Sequence, residues 1–418
     1  MDRLCSYLDH TQKDIEGKLA AGQVPNPQQL AGFLTSLTTQ VRTLSSGAPK
    51  RIVELIVTNF HNMGWDPRSN KQFRSRAALM TPPNVVSSLS TLSSELASWK
   101  PPITPTPTEM KDLAAACDKL WELDSNRCVA GEDIIINPQY GKSMWEQGDF
   151  AEEKLFTYVD AAILEKPTYK AFHALLDNYS SEIGVREVVT PEELVENRKF
   201  LDMIMDTSPM QYVWEWLKAN SKTKASTREA FIAELNELWF GLYRRKVEAD
   251  SSGFEHVFCG EVRDSDRDGE PDEVTGLHNW IVLYKEEMAG RLDYQGFIKP
   301  RRQKRGGAMG LSSSEQLITL QFVWNGCSKP CSSSFIGVSP EFEMALYTLC
   351  FMADEEEKNE VQCGPYRVLV TAYRQRHRGK DYIGTSFPSE APLSQAEGAA
   401  RIQKQFRNKK FNQKHGRR

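Results

Sequence analysis

Apolar residues recur at intervals of three and four through much of the first hundred positions. Leu30, Phe33, Leu34, Leu37, Val41 and Leu44 form one such stripe, and Ile52, Leu55, Ile56 and Phe60 form another. That spacing puts each set on one face of an amphipathic helix. Val85 to Ser98 is rich in Ser and Thr and only weakly patterned. Residues 1–99 therefore predict a helical extension that carries no recognisable chemistry and suits partner binding. The pattern breaks at Lys100-Pro-Pro-Ile-Thr-Pro-Thr-Pro-Thr108. So many prolines make a stiff, extended linker, placed at 100–106.

Helical periodicity then resumes. Thr106, Pro107 and Glu109 have the cap, first-turn proline and returning glutamate of a capping box. Thr190-Pro-Glu-Glu193 repeats that signature before Leu194 to Met205. Trp214, Trp216 and Leu217, then Phe231, Leu235, Leu238, Trp239 and Leu242, supply large apolar faces. At Ser251 the character changes. Phe254, Val257 and Phe258, then Leu317 to Val323 and Val368 to Ala372, are short aromatic or β-branched runs bounded by turn residues, and they predict strands. Trp280 to Met288 and Phe342 to Phe351 predict two helices between them. Helices first and sheet later is an α+β arrangement. The expected division is a helical half at 107–245, a sheet half at 246–390 and a basic tail at 391–418.

Composition adds exclusions. Hydrophobic residues make up 40% of the 418 and charged residues 26%, as in soluble globular proteins. No window approaches the ~18 uninterrupted apolar residues of a membrane span. The opening residues MDRLCSYLDHTQKD lack the apolar core of a signal peptide, so a cytoplasmic or nuclear protein is expected. Eight cysteines without a CxxC pair argue against a disulfide scaffold or zinc ribbon. The net charge of −4 is uneven: the tail from Arg401 to Arg418 holds eight basic residues and no acid, leaving 44 basic against 56 acidic elsewhere. Local basic patches, not the whole surface, would meet an anionic partner.

Seven histidines are few, and two share one short stretch: His256 in Gly253-Phe-Glu-His-Val257 and His278 in Gly276-Leu-His-Asn-Trp280. A histidine on an apolar strand is commonly a core residue. Two close together can also divide into acid and base near neutral pH, and a nearby lysine could then stabilise phosphate charge.

The local words decide between those readings. Phe156-Thr-Tyr-Val-Asp160, Leu175-Leu-Asp-Asn-Tyr179, Val189-Thr-Pro-Glu-Glu193, Gly253-Phe-Glu-His-Val257, Leu277-His-Asn-Trp280, Tyr294-Gln-Gly296 and Gly337-Val-Ser-Pro-Glu-Phe-Glu-Met-Ala-Leu-Tyr347 occur in order. In these the chain resembles the EndoU family of uridylate-specific endoribonucleases, from about Glu109 to Pro388. The resemblance implies a catalytic part built on antiparallel sheets with short helices, acting on single-stranded RNA at uridines. It implies His278 as base on the 2′-hydroxyl, His256 as acid on the leaving 5′-oxygen and Lys329 as charge stabiliser, with a 2′,3′-cyclic phosphate product. It also implies Ser333 as reader of uracil and a stacking aromatic near the end of the domain. The aromatic before the proline here is Phe387 where relatives commonly have tyrosine, with Tyr382 close by. Glu255 and Glu261 match flanking glutamates of the family. They are expected either as substrate-binding residues or as solvent-facing carboxylates, since on an alternating strand both would face away from His256. The alternative within the same fold is an RNA-binding scaffold without turnover, with responsiveness to calcium as a variant of that reading.

The family is divalent-dependent, so Mn2+ or Ca2+ is expected. Between the histidines lies Asp264-Ser-Asp-Arg-Asp-Gly-Glu-Pro-Asp-Glu273. Asp264, Asp266, Asp268 and Gly269 match the first half of a calcium loop, but Thr275 stands where a bidentate glutamate belongs. A metal site and a solvated acidic hairpin both remain open. Basic residues cluster in Lys299-Pro-Arg-Arg-Gln-Lys-Arg305 and at Arg374, Arg376, Arg378 and Lys380, as a substrate channel or as solvated loops. Ile402, Gln403 and Arg407 half-match a calmodulin-binding motif, and an import receptor or RNA would suit the same basic helix.

Overall fold

The computed structural model describes residues 2–44, 50–67, 69–72, 78–98, 103–146, 148–264, 272–300, 311–353 and 357–392. It divides into two units, Met1–Pro102 and Ile103–Arg418.

The first unit is a small helical bundle: α1 (Asp2–Ala20), α2 (Pro27–Leu44), α3 (Lys50–Asn62) and α4 (Pro82–Ser98), with a two-strand ribbon of β1 (Trp65–Asp66) and β2 (Lys71–Gln72). The predicted stripes supply its core, since Leu30, Leu34, Leu37, Ile56 and Phe60 are buried. Contrary to its weak pattern, the Ser/Thr-rich stretch is the helix α4 and buries Val85, Leu89 and Leu92. These three fall at i, i+4 and i+7, and packing outweighs the poor helix propensity around them.

The second unit opens with a difference from expectation. Thr106 and Glu109 do exchange capping hydrogen bonds, at 3.3 and 2.9 Å, but they close a single turn. The helix α5 (Leu113–Leu123) begins later, capped by Asp112. Beyond it come β3 (Ile134–Ile136), β4 (Gly141–Lys142), β5 (Phe156–Val159), α6 (Ala161–Leu164), α7 (Pro167–Ala174), α8 (Pro191–Met205), α9 (Ser208–Ala219) and α10 (Arg228–Phe240). Thr190 and Glu193 form a complete capping box on α8, as the sequence predicts.

The sheet half contains β6 (Glu261–Arg263), β7 (Glu273–Thr275), α11 (Trp280–Met288), β8 (Leu292–Ile298), β9 (Leu317–Trp324), β10 (Cys327–Phe335), α12 (Pro340–Ala353), β11 (Lys358–Cys363), β12 (Tyr366–His377) and β13 (Lys380–Glu390). Six strands form one sheet in the order β4-β8-β9-β10-β7-β6, and β11-β12-β13 form an antiparallel sheet. Most pairings are antiparallel; the short β4–β8 and β7–β10 pairings are parallel. The helix α12, buried along nearly its whole length, is central to the core.

The predicted strand at Phe254 to Phe258 is instead a π-helical turn, Glu255–Cys259. Phe254, Val257 and Phe258 are spaced i, i+3 and i+4, which is a helical interval, and all three are fully buried. Phe254 and Phe258 meet Phe172, each with ring centroids 5.5 Å apart. The turn stops at Gly260, whose φ is 83° and whose N–H donates to Glu255 O at 2.9 Å.

Candidate active site

Three segments from different elements converge on the two histidines: the π-turn with β6, the loop into α11, and β10. The turn comes first. Ser252 and Glu255 cap each other, each main-chain N–H donating to the other's side chain at 3.2 Å. Glu255 is thereby 1% exposed, and burial followed by Glu261 and Glu187 pushes its carboxyl up to about 10. It is a buried structural acid inside the turn, and the expected solvent-facing carboxylate is corrected.

Glu261 corrects the expectation more sharply. Because 255–259 coils, the chain doubles back and brings Glu261 onto His256. Glu261 Oε2 lies 2.5 Å from His256 Nδ1, and the glutamate is fully buried. Arg245 approaches the same carboxylate at 3.5 Å and is fixed by Ser251 and the Tyr243 hydroxyl, both at 2.9 Å. Glu261 is a direct orienter of His256. Burial pulls the His256 pKa down, and the Glu261 contact opposes that pull.

The second histidine arrives through an unusual turn. Gly276 and Leu277 both have left-handed backbone, with φ of 64° and 57°. A Cβ on Gly276 would stand 1.7 Å from His256 O, so only glycine lets the two segments cross. Leu277 N–H then donates to His256 O at 3.1 Å, and His278 N–H to Val257 O at 3.0 Å. Asn279 caps α11 and donates to the buried Glu343 carboxyl at 2.6 Å. His278 is thus fastened on both sides.

His278 Nδ1 is 3.0 Å from the carbonyl oxygen of Ser333, with the Ser332 hydroxyl 3.2 Å away. Since Ser332 donates its proton to Leu277 O, the imidazole must donate from Nδ1. That fixes the tautomer with a lone pair on Nε2. Burial first, then the nearby Lys329 and His256, hold its pKa well below the usual histidine value. Phe387 of β13 stacks on the ring, with centroids 4.6 Å apart and planes 20° apart.

Lys329 is 9% exposed and donates to Val274 O at 3.0 Å. Burial lowers its pKa to about 8, with Glu273 opposing. It precedes a register shift in β10, between Lys329 and Ser332. Ser333 pairs across the ladder with Thr319, their hydroxyls 2.8 Å apart. The two line a cavity of about 220 Å³ with Leu317, Cys331, Lys299 and Met144.

Tyr382 is not among these groups. Its ring packs against Tyr243, and its hydroxyl donates to Glu237 at 2.8 Å. The second basic cluster is neutralised: Arg374 and Arg376 pair with Asp381, Arg378 with Glu248, and Lys380 with Glu237. Of the predicted metal ligands, Asp264 has Lys246 at 3.8 Å, while Asp266 and Asp268 lie outside the described residues. Among the described residues, no three His, Cys, Asp or Glu side chains gather into a metal-binding group. Residues 301–305 of the first basic cluster and the tail from 393 onward also lie outside them. No described helix is long and apolar enough to cross a membrane.

Arg245 and Thr319 were not singled out by sequence, and Ser332 only as a neighbour in register of Ser333. Each acts on a partner that folding brings close, 14 to 54 positions away for Thr319 and Ser332, and no local pattern marks them.

A family model described as Endoribonuclease XendoU matches residues 112–388. Uridylate-specific endoribonuclease B of Danio rerio is 39% identical over 285 residues, 66% of this chain and 95% of that protein. Poly(U)-specific endoribonuclease-A of Xenopus laevis is 38% identical, over 66% of this chain and 93% of its own length. The solved structure of XendoU, a splicing-independent snoRNA-processing endoribonuclease, superposes with a TM-score of 0.55 at 38% identity, covering 67% of this chain and 97% of its own. This chain belongs to the XendoU endoribonuclease family.

Proposed function

We propose that this endoribonuclease cleaves single-stranded RNA at uridines by transesterification, leaving 2′,3′-cyclic phosphate ends. The observation that carries the reading is the unequal anchoring of two adjacent buried imidazoles. His278 Nδ1 donates to a neutral carbonyl, so its Nε2 is a free acceptor for the 2′-hydroxyl proton. His256 Nδ1 faces a carboxylate, which stabilises the imidazolium that donates from Nε2 to the departing 5′-oxygen.

As the 2′-oxygen bonds to phosphorus, the bond to the 5′-oxygen breaks. Negative charge builds on the non-bridging oxygens, and the Lys329 ammonium stabilises it. The bound phosphate raises the pKa of both histidines, which favours His256 in its acid form. Ser333 and Thr319 offer hydroxyls that donate and accept, matching a uracil edge.

A divalent ion, manganese or calcium, belongs to the proposal through the family resemblance and the acidic stretch 264–273. The described residues do not fit as its site, because Asp264 faces Lys246, and no step passes through a metal. Free cysteines throughout the described residues favour cytoplasm or nucleus, which a fluorescent fusion tests.

The decisive assay incubates the full chain with oligouridylate in calcium, manganese or chelator. Cyclic-phosphate ends that vanish in His278→Ala support the reading. Intact RNA under every condition overturns it. The Phe387 ring over His278 favours one rival, an RNA-binding scaffold without turnover, which predicts retained binding with no product.

A further inference from the structure

Trp145 is 84% exposed, more than any other large apolar side chain among the described residues, and Met144 beside it is 47% exposed. A single exposed apolar residue is unremarkable. This pair is different because its loop is built to hold it. Lys142 of β4 is fully buried, donates to Gly148 O at 2.7 Å and lies 5.1 Å from the Phe150 ring. Glu146 closes the turn on the other side, accepting from Ser143 N–H at 2.5 Å. A Cβ on Gly141 would come within 2.5 Å of the Phe297 ring, so β4 seats closely on β8. Burying an ammonium is costly, and here it serves to fix a loop whose tip carries an uncovered indole.

The loop also continues the site. Met144 and Lys299 line the same cavity as Ser333 and Thr319. The strand order gives that continuity a direction. At one edge, β6 carries Glu261, which holds His256, the acid for the leaving 5′-oxygen. β10, with Lys329 and Ser333, lies inward, and beyond β9 and β8 the far edge is β4 with Met144 and Trp145 after it. The departing nucleotide lies 3′ of the cleaved bond, so RNA crossing the sheet places its 5′ side toward β4.

We propose that Trp145, backed by Met144, stacks a nucleobase on the 5′ side of the cleaved uridine. The inference rests on the function proposed above for its direction. An indole face accepts any base, so the subsite extends the footprint without reading sequence. Lys299, exposed at the cavity rim, supplies positive charge for the phosphate on that side.

The test compares kcat/KM for UpA, ApUpA and ApApUpA in the wild type, Trp145→Ala and Trp145→Phe. The ratio of the longest substrate to the dinucleotide is expected to fall about tenfold in Trp145→Ala and to be kept in Trp145→Phe. An unchanged ratio, or equal loss in both aromatic and alanine variants, overturns the proposal. Binding of the same three oligonucleotides carrying 2′-deoxyuridine, followed by anisotropy, decides the stacking even without turnover. There the length-dependent gain in affinity must be lost in Trp145→Ala. If no substrate is cleaved yet that gain is present and lost on substitution, the catalytic reading has failed and the stacking subsite stands.

Discussion

His256 and His278 are both 6% exposed, and each has its Nδ1 atom engaged, but the groups they lean on differ in charge. His256 faces the buried carboxylate of Glu261, delivered by a tight local turn. His278 faces a main-chain carbonyl 55 positions away in β10, with Lys329 and His256 as its charged neighbours. The carboxylate favours an imidazolium, and the cations disfavour one. Burial and nearby cations hold both imidazoles below the usual histidine value, but only His256 has a carboxylate opposing that pull. His278 is therefore held further down and the two are set apart, the separation that acid–base division requires.

The comparison breaks most visibly at the rings themselves. Replacing either His256 or His278 with Ala should lower kcat by about 10³–10⁴-fold while leaving the unfolding temperature within a few degrees. Equal rates in mutant and wild type would remove both from the chemistry. Next comes Glu261→Gln, expected to cost roughly 10²-fold. Its amide carries no charge, so the His256 pKa falls further. Because the acid must be protonated, the alkaline limb of the kcat profile should move to lower pH, and an unmoved limb would show that Glu261 does not tune His256.

Lys329 gives a third handle. With a pKa of about 8, its ammonium is present below that pH and lost as pH rises through it. Lys329→Arg keeps the charge at high pH, so the decline of log kcat/KM above about pH 8 should become shallower, on a rate lowered about tenfold by the altered geometry. The smallest effect is expected at Phe387. Removing its ring in Phe387→Ala should slow oligouridylate cleavage a few-fold to tenfold, with Phe387→Tyr near wild type; faster cleavage by the alanine variant would mean the ring obstructs His278.

Much of this was legible beforehand. The helices α8, α11 and α12 and the strands β9 and β12 follow their apolar periods, and the family words placed His256, His278, Lys329 and Ser333. The misreading at 254–258 is instructive. Its aromatic residues favour a strand by composition, but their i, i+3, i+4 spacing is helical, and spacing decided which face could be buried. From that one error followed another, the outward placement of Glu261. The basic cluster at 374–380 stayed open between a substrate channel and a solvated loop for a different reason: Asp381 is close in sequence, but the other acidic partners, Glu237 and Glu248, are more than a hundred positions distant.

By itself the sequence determined the α+β order of the second unit, the helical character of the first and the family words that contain the side chains proposed to react. These depend on local periodicity and on words that survive without context. Only the tertiary structure decided that Glu261 orients His256, that Ser333 lends His278 its carbonyl rather than its hydroxyl, and that Met144, next to Trp145, lines the same cavity as Ser333. Each of those joins groups through space, and a buried group's protonation and tautomer are set by whichever neighbour folding brings within hydrogen-bond reach.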